Sequence, residues 1–189
     1  MTDLAGTDLR ALKDRPFDLL RELERRSKAA LAGARGGDGD IEEWVGIGFR
    51  LADEQFIVAR EEVREVMMVP AMIARVPGAK GWVRGLANVR GHLMPIIDLK
   101  TFLGAGRTVG QRDSRVLVIK GAEFSAGLIV AEVFGFRRFL DSEQKTEVPE
   151  MMIQCAPYVS GTFERGVESW PIFSVDRLEN SEEFQRAAA

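Results

Sequence analysis

The stretch Gly85-Leu-Ala-Asn-Val-Arg-Gly91-His-Leu-Met-Pro95-Ile-Ile-Asp98-Leu99 joins two strand-rich halves of the chain, and its reading decides the fold. With the preceding Pro77-Gly-Ala-Lys-Gly-Trp-Val-Arg84 it carries glycines at irregular spacing, which argues for turns and close backbone approaches more than for a regular element. Residues 93–99 then read as a strand with Pro95 near its start, where a strand tolerates proline. Residues 99–103 read as one helical turn closed by Gly104.

Towards the N-terminus the apolar period changes twice. Val45, Ile47, Phe49 and Leu51 alternate with Trp44, Gly46, Gly48 and Arg50, as one face of a strand requires, and Ala52-Asp53-Glu54 turns the chain into a second strand over 55–60. The run from Val63 to Val69 fits a helical face and a strand equally well, with Pro70 ending either. Upstream, Phe17, Leu20, Leu23, Ala30 and Leu31 recur at helical spacing, so 8–34 reads as an amphipathic helix with Asp14 as N-cap and Pro16 in its first turn. Its stripe needs a cover, and the Gly/Asp-rich linker 33–40 favours a partner or a second copy of the chain over folding back.

Towards the C-terminus, 115–120, 124–133 and 135–140 read as strands and 141–149 as an acidic loop. Residues 158–163 and 169–174 pair across Glu164-Arg165-Gly166, and 175–186 forms a terminal helix. About ten short strands at close spacing mean sandwiches or barrels, and two small barrels suit the count better than one sheet.

Composition narrows the function. The 189 residues are 46% apolar and 29% charged, an ordinary folding balance. Twenty-six basic against 29 acidic residues give −3, the wrong sign for a dedicated nucleic-acid binder. One cysteine, Cys155, and one histidine, His92, are too few for a zinc site and leave nucleophilic catalysis almost no base to use. Asp38, Asp40 and Glu42 alternate like the start of a calcium loop, but Glu43 and Phe49 occupy its obligatory glycine and glutamate positions, so they read as a solvated linker. His92 reads as an ordinary surface residue. No basic-then-apolar leader and no spanning apolar run is visible, so a cytoplasmic protein is expected. Arg75, Lys80, Arg84 and Arg90 form a basic stretch around Trp82 that is either a solvated face or, with the aromatic exposed, the docking patch of an acidic protein partner. An enzyme built on carboxylates or an oxygen-ligated metal would need a clustered acidic pair, absent outside loops. A nucleic-acid barrel would need more aromatics beside 75–90.

Gly85-Leu-Ala-Asn-Val-Arg-Gly91 and Met94-Pro-Ile-Ile-Asp-Leu99 resemble the Gly-Val-Ile-Asn-Leu-Arg-Gly and Val-Pro-Val-Ile-Asp-Leu signature of the CheW-type chemotaxis coupling proteins. The likeness extends to 49–56, Val63-Arg-Glu-Val66, Val76-Pro77, Gly127-Leu-Ile-Val130 and Tyr158-Val-Ser-Gly161, and covers about 44–180. It implies a mainly β fold of two packed SH3-like five-stranded barrels with an added N-terminal helix and a short C-terminal helix. The implied layout is a helix and linker over 1–40, a CheW-like domain over 41–180 and a tail over 174–189. Within the domain the barrels fall near 41–98 and 99–173, with exchange of strands between them allowed. Val63–Val66 becomes strand.

The resemblance also implies a non-enzymatic adaptor, without cofactor or metal, that joins the cytoplasmic tip of a methyl-accepting chemoreceptor to a CheA-type histidine kinase. It is expected in the cytoplasm, recruited to membrane-associated receptor arrays, without membrane insertion or nucleic-acid binding. By position, Arg90 matches the family's Arg-Gly turn, and Val63 and Glu65 lie on the strand associated with partner contact. Arg84, Asn88 and Gly91 complete the implied partner-binding set, while Gly85, Pro95, Asp98, Gly127 and Gly161 are structural turn positions. Lys80 replaces a common proline, Ala131 a common aspartate, and Ala87-Asn-Val89 the usual Val-Asn-Leu. The wording of 82–91 and the N-terminal helix are more similar to the coupling protein of type IV pilus chemosensory systems than to the flagellar one, which stays as the alternative.

Overall fold

The computed structural model describes residues 43–108, 112–120, 125–151 and 153–187. The expected helix over 8–34 and its linker lie outside these residues. The strands are β1 (Glu43–Leu51), β2 (Glu54–Ala59), β3 (Val63–Met68), β4 (Val83–Val89), β5 (His92–Asp98), β6 (Arg115–Lys120), β7 (Ser125–Val130), β8 (Glu132–Leu140), β9 (Gln144–Lys145), β10 (Val159–Arg165) and β11 (Glu168–Phe173). The helices are α1 (Leu99–Phe102), α2 (Val175–Glu179) and α3 (Glu182–Gln185).

Two sheets result, one ordered β8-β1-β2-β11-β10-β9 and the other β3-β6-β7-β5-β4. They are the two expected SH3-like units. Sheet membership crosses the expected cut at 98/99 in both sheets: β8 and β11 pair with β1 and β2 in one, and β3 and β5 pair with β6 and β7 in the other. The crossing is tied by Ala131, whose N–H donates to the Arg50 carbonyl at 3.0 Å.

The alternation along β1 explains the layering. Ile47, Phe49 and Leu51 enter the large core with Val63, Leu117, Ile119, Leu128 and Phe173. The opposite face enters a second, aromatic core formed by Ile57, Phe139, Phe163, Trp170 and Ile172, with Trp44 packed against it. A third cluster of Ala87, Val89, Met94, Ile96, Val116, Val118 and Ile129 fills the other sheet.

Several local expectations are corrected. Glycine-rich 77–91 is not all turn: its second half is β4, because Gly85 adopts φ +139 at a bulge where a side chain would fall against the Ala74 carbonyl. Gly85, Pro95, Gly127 and Gly161 are not turn positions but lie inside strands. Gly127 is needed for contact, since a Cβ would meet Val116 at 2.7 Å and Ile96 at 2.9 Å, and at Gly161 it would meet the Lys145 carbonyl at 2.6 Å. The strand expected over 124–133 ends at Val130, and Val133 belongs to β8. The acidic loop contains β9. The single terminal helix is two short ones, because Ser181 leaves helical geometry to cap α3 by accepting from the Phe184 N–H at 3.3 Å.

Candidate functional site

The site is built on β3 and the β4–β5 turn. Val89 pairs with His92, so Arg90 and Gly91 form a two-residue loop, with φ +50 and +88. Positive φ at both central residues is the primed turn that matches strand twist. Glycine takes it freely, whereas an arginine there costs about 1 kcal/mol. Asn88 Oδ1 accepts from the Gly91 N–H at 2.8 Å and braces the turn. This strained loop aims Arg90 across to β3, where its Nη2 lies 2.7 Å from Glu65 Oε2. Two residues placed in the partner-binding set for separate reasons are thus partners of each other.

Glu65 gains its direction from a register shift between Val63 and Glu65, which leaves Arg64 exposed. The shift also removes Val63 from the surface: it is 2% exposed in the large core, so the expected direct contact of Val63 with a partner is corrected to a core position. Outward along β3 come Val66 and Met68, 39% and 70% exposed, followed by Met72 at 86%. Val66 and Met68 belong to the apolar run whose period was ambiguous, and that ambiguity was the only signal for them; Met72 lies beyond Pro70, which ends the run.

Arg84 is half-buried, with Nη1 3.4 Å from Asp98 Oδ2. Asp98 is fully buried and accepts from the Thr101 and Thr108 N–H groups and from Thr108 Oγ1, at 3.2, 3.0 and 2.7 Å. It therefore caps α1 at the turn after β5. Trp82 is buried against Phe102 and Phe184, so the expected exposed aromatic of the basic patch is corrected to a core residue. The Lys80 N–H donates to the Ala187 carbonyl at 2.9 Å, so the C-terminal segment is strapped over this aromatic cluster. His92 is exposed.

Sequence reasoning missed Glu62. Its carboxylate accepts from the Val175 and Asp176 N–H groups at 3.2 and 3.4 Å, tying the start of β3 to α2, and burial pushes its pKa up. A cavity of about 280 Å³ is lined by Lys80, Trp82, Glu182, Glu183 and Arg186, but its two carboxylates are exposed and Glu182 is already paired with Arg186 at 3.1 Å. Among the described residues no group of three or more His, Cys, Asp or Glu is placed to hold a metal, and no helix is long and apolar enough to cross a membrane.

The β-scaffold thus presents an ion-paired turn at its surface. A sequence profile of the CheW-like domain matches residues 45–183, and the chain belongs to the CheW-like family. It is 37% identical to the protein PilI of Pseudomonas aeruginosa over 169 residues, covering 89% of this chain and 94% of that protein. It is 31% identical to the chemotaxis protein CheW of Helicobacter pylori over 111 residues, 59% of this chain and 66% of that one. Among solved structures it resembles the scaffolding protein TtCheW from Thermoanaerobacter tengcongensis, with a TM-score of 0.65 at 26% identity, covering 75% of this chain and 97% of that one.

Proposed function

We propose that the protein is a non-enzymatic cytoplasmic adaptor that couples the tip of a methyl-accepting chemoreceptor to a CheA-type histidine kinase, in the chemosensory system of type IV pili. The pilus assignment is supported by the likeness to PilI over nearly the whole of both chains. The observation that carries the docking role is the Glu65–Arg90 pair, held at the surface by a turn that costs free energy to form. Asn88 and Gly91 shape that turn, Arg84 pairs with Asp98 at the far end of the β4–β5 hairpin, and Val66 and Met68 offer apolar area on the other face of β3.

Calorimetry with the kinase's regulatory portion and a receptor-tip fragment tests the reading, and binding to both is expected. Binding to neither overturns it. Deleting the gene should abolish twitching and spare swimming. The reverse pattern would assign the chain to a flagellar pathway instead.

A further inference from the structure

The outward face of β3 is apolar, and the apolar row continues past the end of the strand. Met67, Val69 and Ile73 turn onto the third core cluster, which leaves Val66 and Met68 on the opposite face of β3. Beyond Pro70 the chain crosses to the free edge of β4, where Ala74 and Leu86 exchange two backbone hydrogen bonds of 2.8 Å. Alternation about that bridge sets Met72 and Val76 on the side opposite to Ile73. Val66, Met68, Met72 and Val76 are all exposed. The charge beside this row has one sign. From Val63 to Gly91 the basic residues are Arg64, Arg75, Lys80, Arg84 and Arg90, and the one acidic residue, Glu65, lies on the other face of β3 and is taken by Arg90. Arg115 stands opposite Met68 on β6 and shares its face, with its Nη1 donating to the Arg112 and Ser114 carbonyls at 3.1 and 2.9 Å. Among the described residues Arg64, Arg75 and Arg115 have no carboxylate within ion-pairing distance, whereas Arg50, Arg138 and Arg165 each hold one.

We infer that this row is a second docking surface, fitted to an amphipathic segment of a partner protein whose apolar face is bordered by carboxylates. Unpaired guanidinium groups recognise carboxylates in a fixed geometry, and thioether side chains adapt to the shape laid on them. Methionine and arginine are also the residues enriched where protein interfaces are fully covered. A basic segment would meet like charge at Arg64, Arg75 and Arg115. The row holds no aromatic ring, which a lipid surface or a nucleic-acid strand would use for anchoring or stacking. The inference rests on the coupling reading in one respect: an adaptor that holds two partners at once needs a surface besides the Glu65–Arg90 turn.

The test is a titration of the full chain with a helical peptide that bears a leucine stripe bordered by glutamates, followed by amide chemical shifts. Shifts are expected at 64–76 and at Arg115, and they should shrink as salt is raised. The double variant Met68→Ser, Met72→Ser should lose them while melting like the wild type, because both side chains are exposed, and Arg75→Glu should lose them too. An acidic peptide that leaves these amides unmoved overturns the inference. So does an equal response to a lysine-bordered peptide or to vesicles of anionic lipid. In calorimetry with the kinase's regulatory portion and the receptor-tip fragment, the double variant should weaken one partner about tenfold and spare the other. Where the wild type binds both, loss of both or of neither overturns it. If the wild type binds neither fragment while the acidic peptide still shifts these amides, the coupling reading fails and the docking surface stands.

Discussion

Arg90 Nη2 lies 2.7 Å from Glu65 Oε2, and the two side chains reach that distance from the turn after one edge strand, β4, and from the opposite edge strand of the same sheet, β3. The Arg90 side chain is 80% exposed and that of Glu65 23%, so the pair contributes under about 1 kcal/mol to stability. Its importance lies in the shape and charge it presents.

Arg90→Ala is therefore expected to shift the melting temperature by no more than a few degrees while weakening kinase or receptor binding about tenfold or more. Glu65→Lys should be worse than Glu65→Ala for a reason now internal to the protein, since it sets a lysine against Arg90 as well as against any basic partner group. The swap Glu65→Arg with Arg90→Glu separates the two causes: calorimetry should find stability restored and binding still lost. Restored binding would mean that the partner reads the turn and not its charges.

Gly85→Ala is expected to destabilise by at least about 2 kcal/mol, because φ +139 is costly for any residue with a Cβ and the added methyl meets the Ala74 carbonyl. The bridge between Ala74 and Leu86 would have to open to make room. Gly78→Ala is the matched control. Its φ is +71 but no atom lies within 4 Å of the added carbon, so only the backbone strain, about 1 kcal/mol, should appear in denaturant melts. Equal losses from the two would place the cost at Gly85 in φ alone.

Legibility followed how local the deciding interactions are. The alternation of β1 could be read because a period of two is written into neighbouring residues, and the strand 115–120 because Val116 to Ile119 is a short unbroken apolar run. Asp98 was legible only as a turn position implied by the family resemblance; its cap on Thr101 and Thr108 was not read, although both follow within ten residues. Gly85 misled, since what makes it strand is a carbonyl eleven residues upstream. Trp82 looked exposed beside its basic neighbours because the side chain that covers it, Phe184, comes from the far end of the chain. The Glu65–Arg90 pair was legible as two positions but not as a contact, which depends on how the sheet closes.

Cys155 gives a prediction about access. It is fully buried, burial pushes its thiol up to about 12, and its Sγ lies 3.3 Å from Met151 Sδ. A thiol reagent at neutral pH should therefore be consumed only as fast as the protein opens, and one equivalent should react at once in denaturant. Immediate reaction of the native protein would show that the 151–155 segment opens readily.

Acid should act through Glu143. The Arg165 guanidinium donates to both its carboxylate oxygens, at 2.8 and 2.7 Å, and the Leu140 N–H adds a third bond at 2.8 Å. Chiefly through Arg165, these hold the carboxyl at about 2, against an ordinary value of 4.5. A depressed folded-state pKa means the unfolded chain takes up the proton first. The stabilisation is therefore complete above about pH 5, shrinks as pH falls through 4.5, and is gone below about 2. The group is at the surface, so salt should reduce the effect. Glu143→Gln should melt below the wild type at pH 7, and the gap should close between pH 5 and pH 2. Because Arg165 also covers the Phe139 ring, 4.8 Å from its centroid, and bonds the Arg138 carbonyl, Arg165→Ala should lower melting at pH 2 as well, where the ion pair no longer contributes. If the gap for Glu143→Gln stays constant with pH, the carboxylate's charge is not what holds the 141–145 segment against β10.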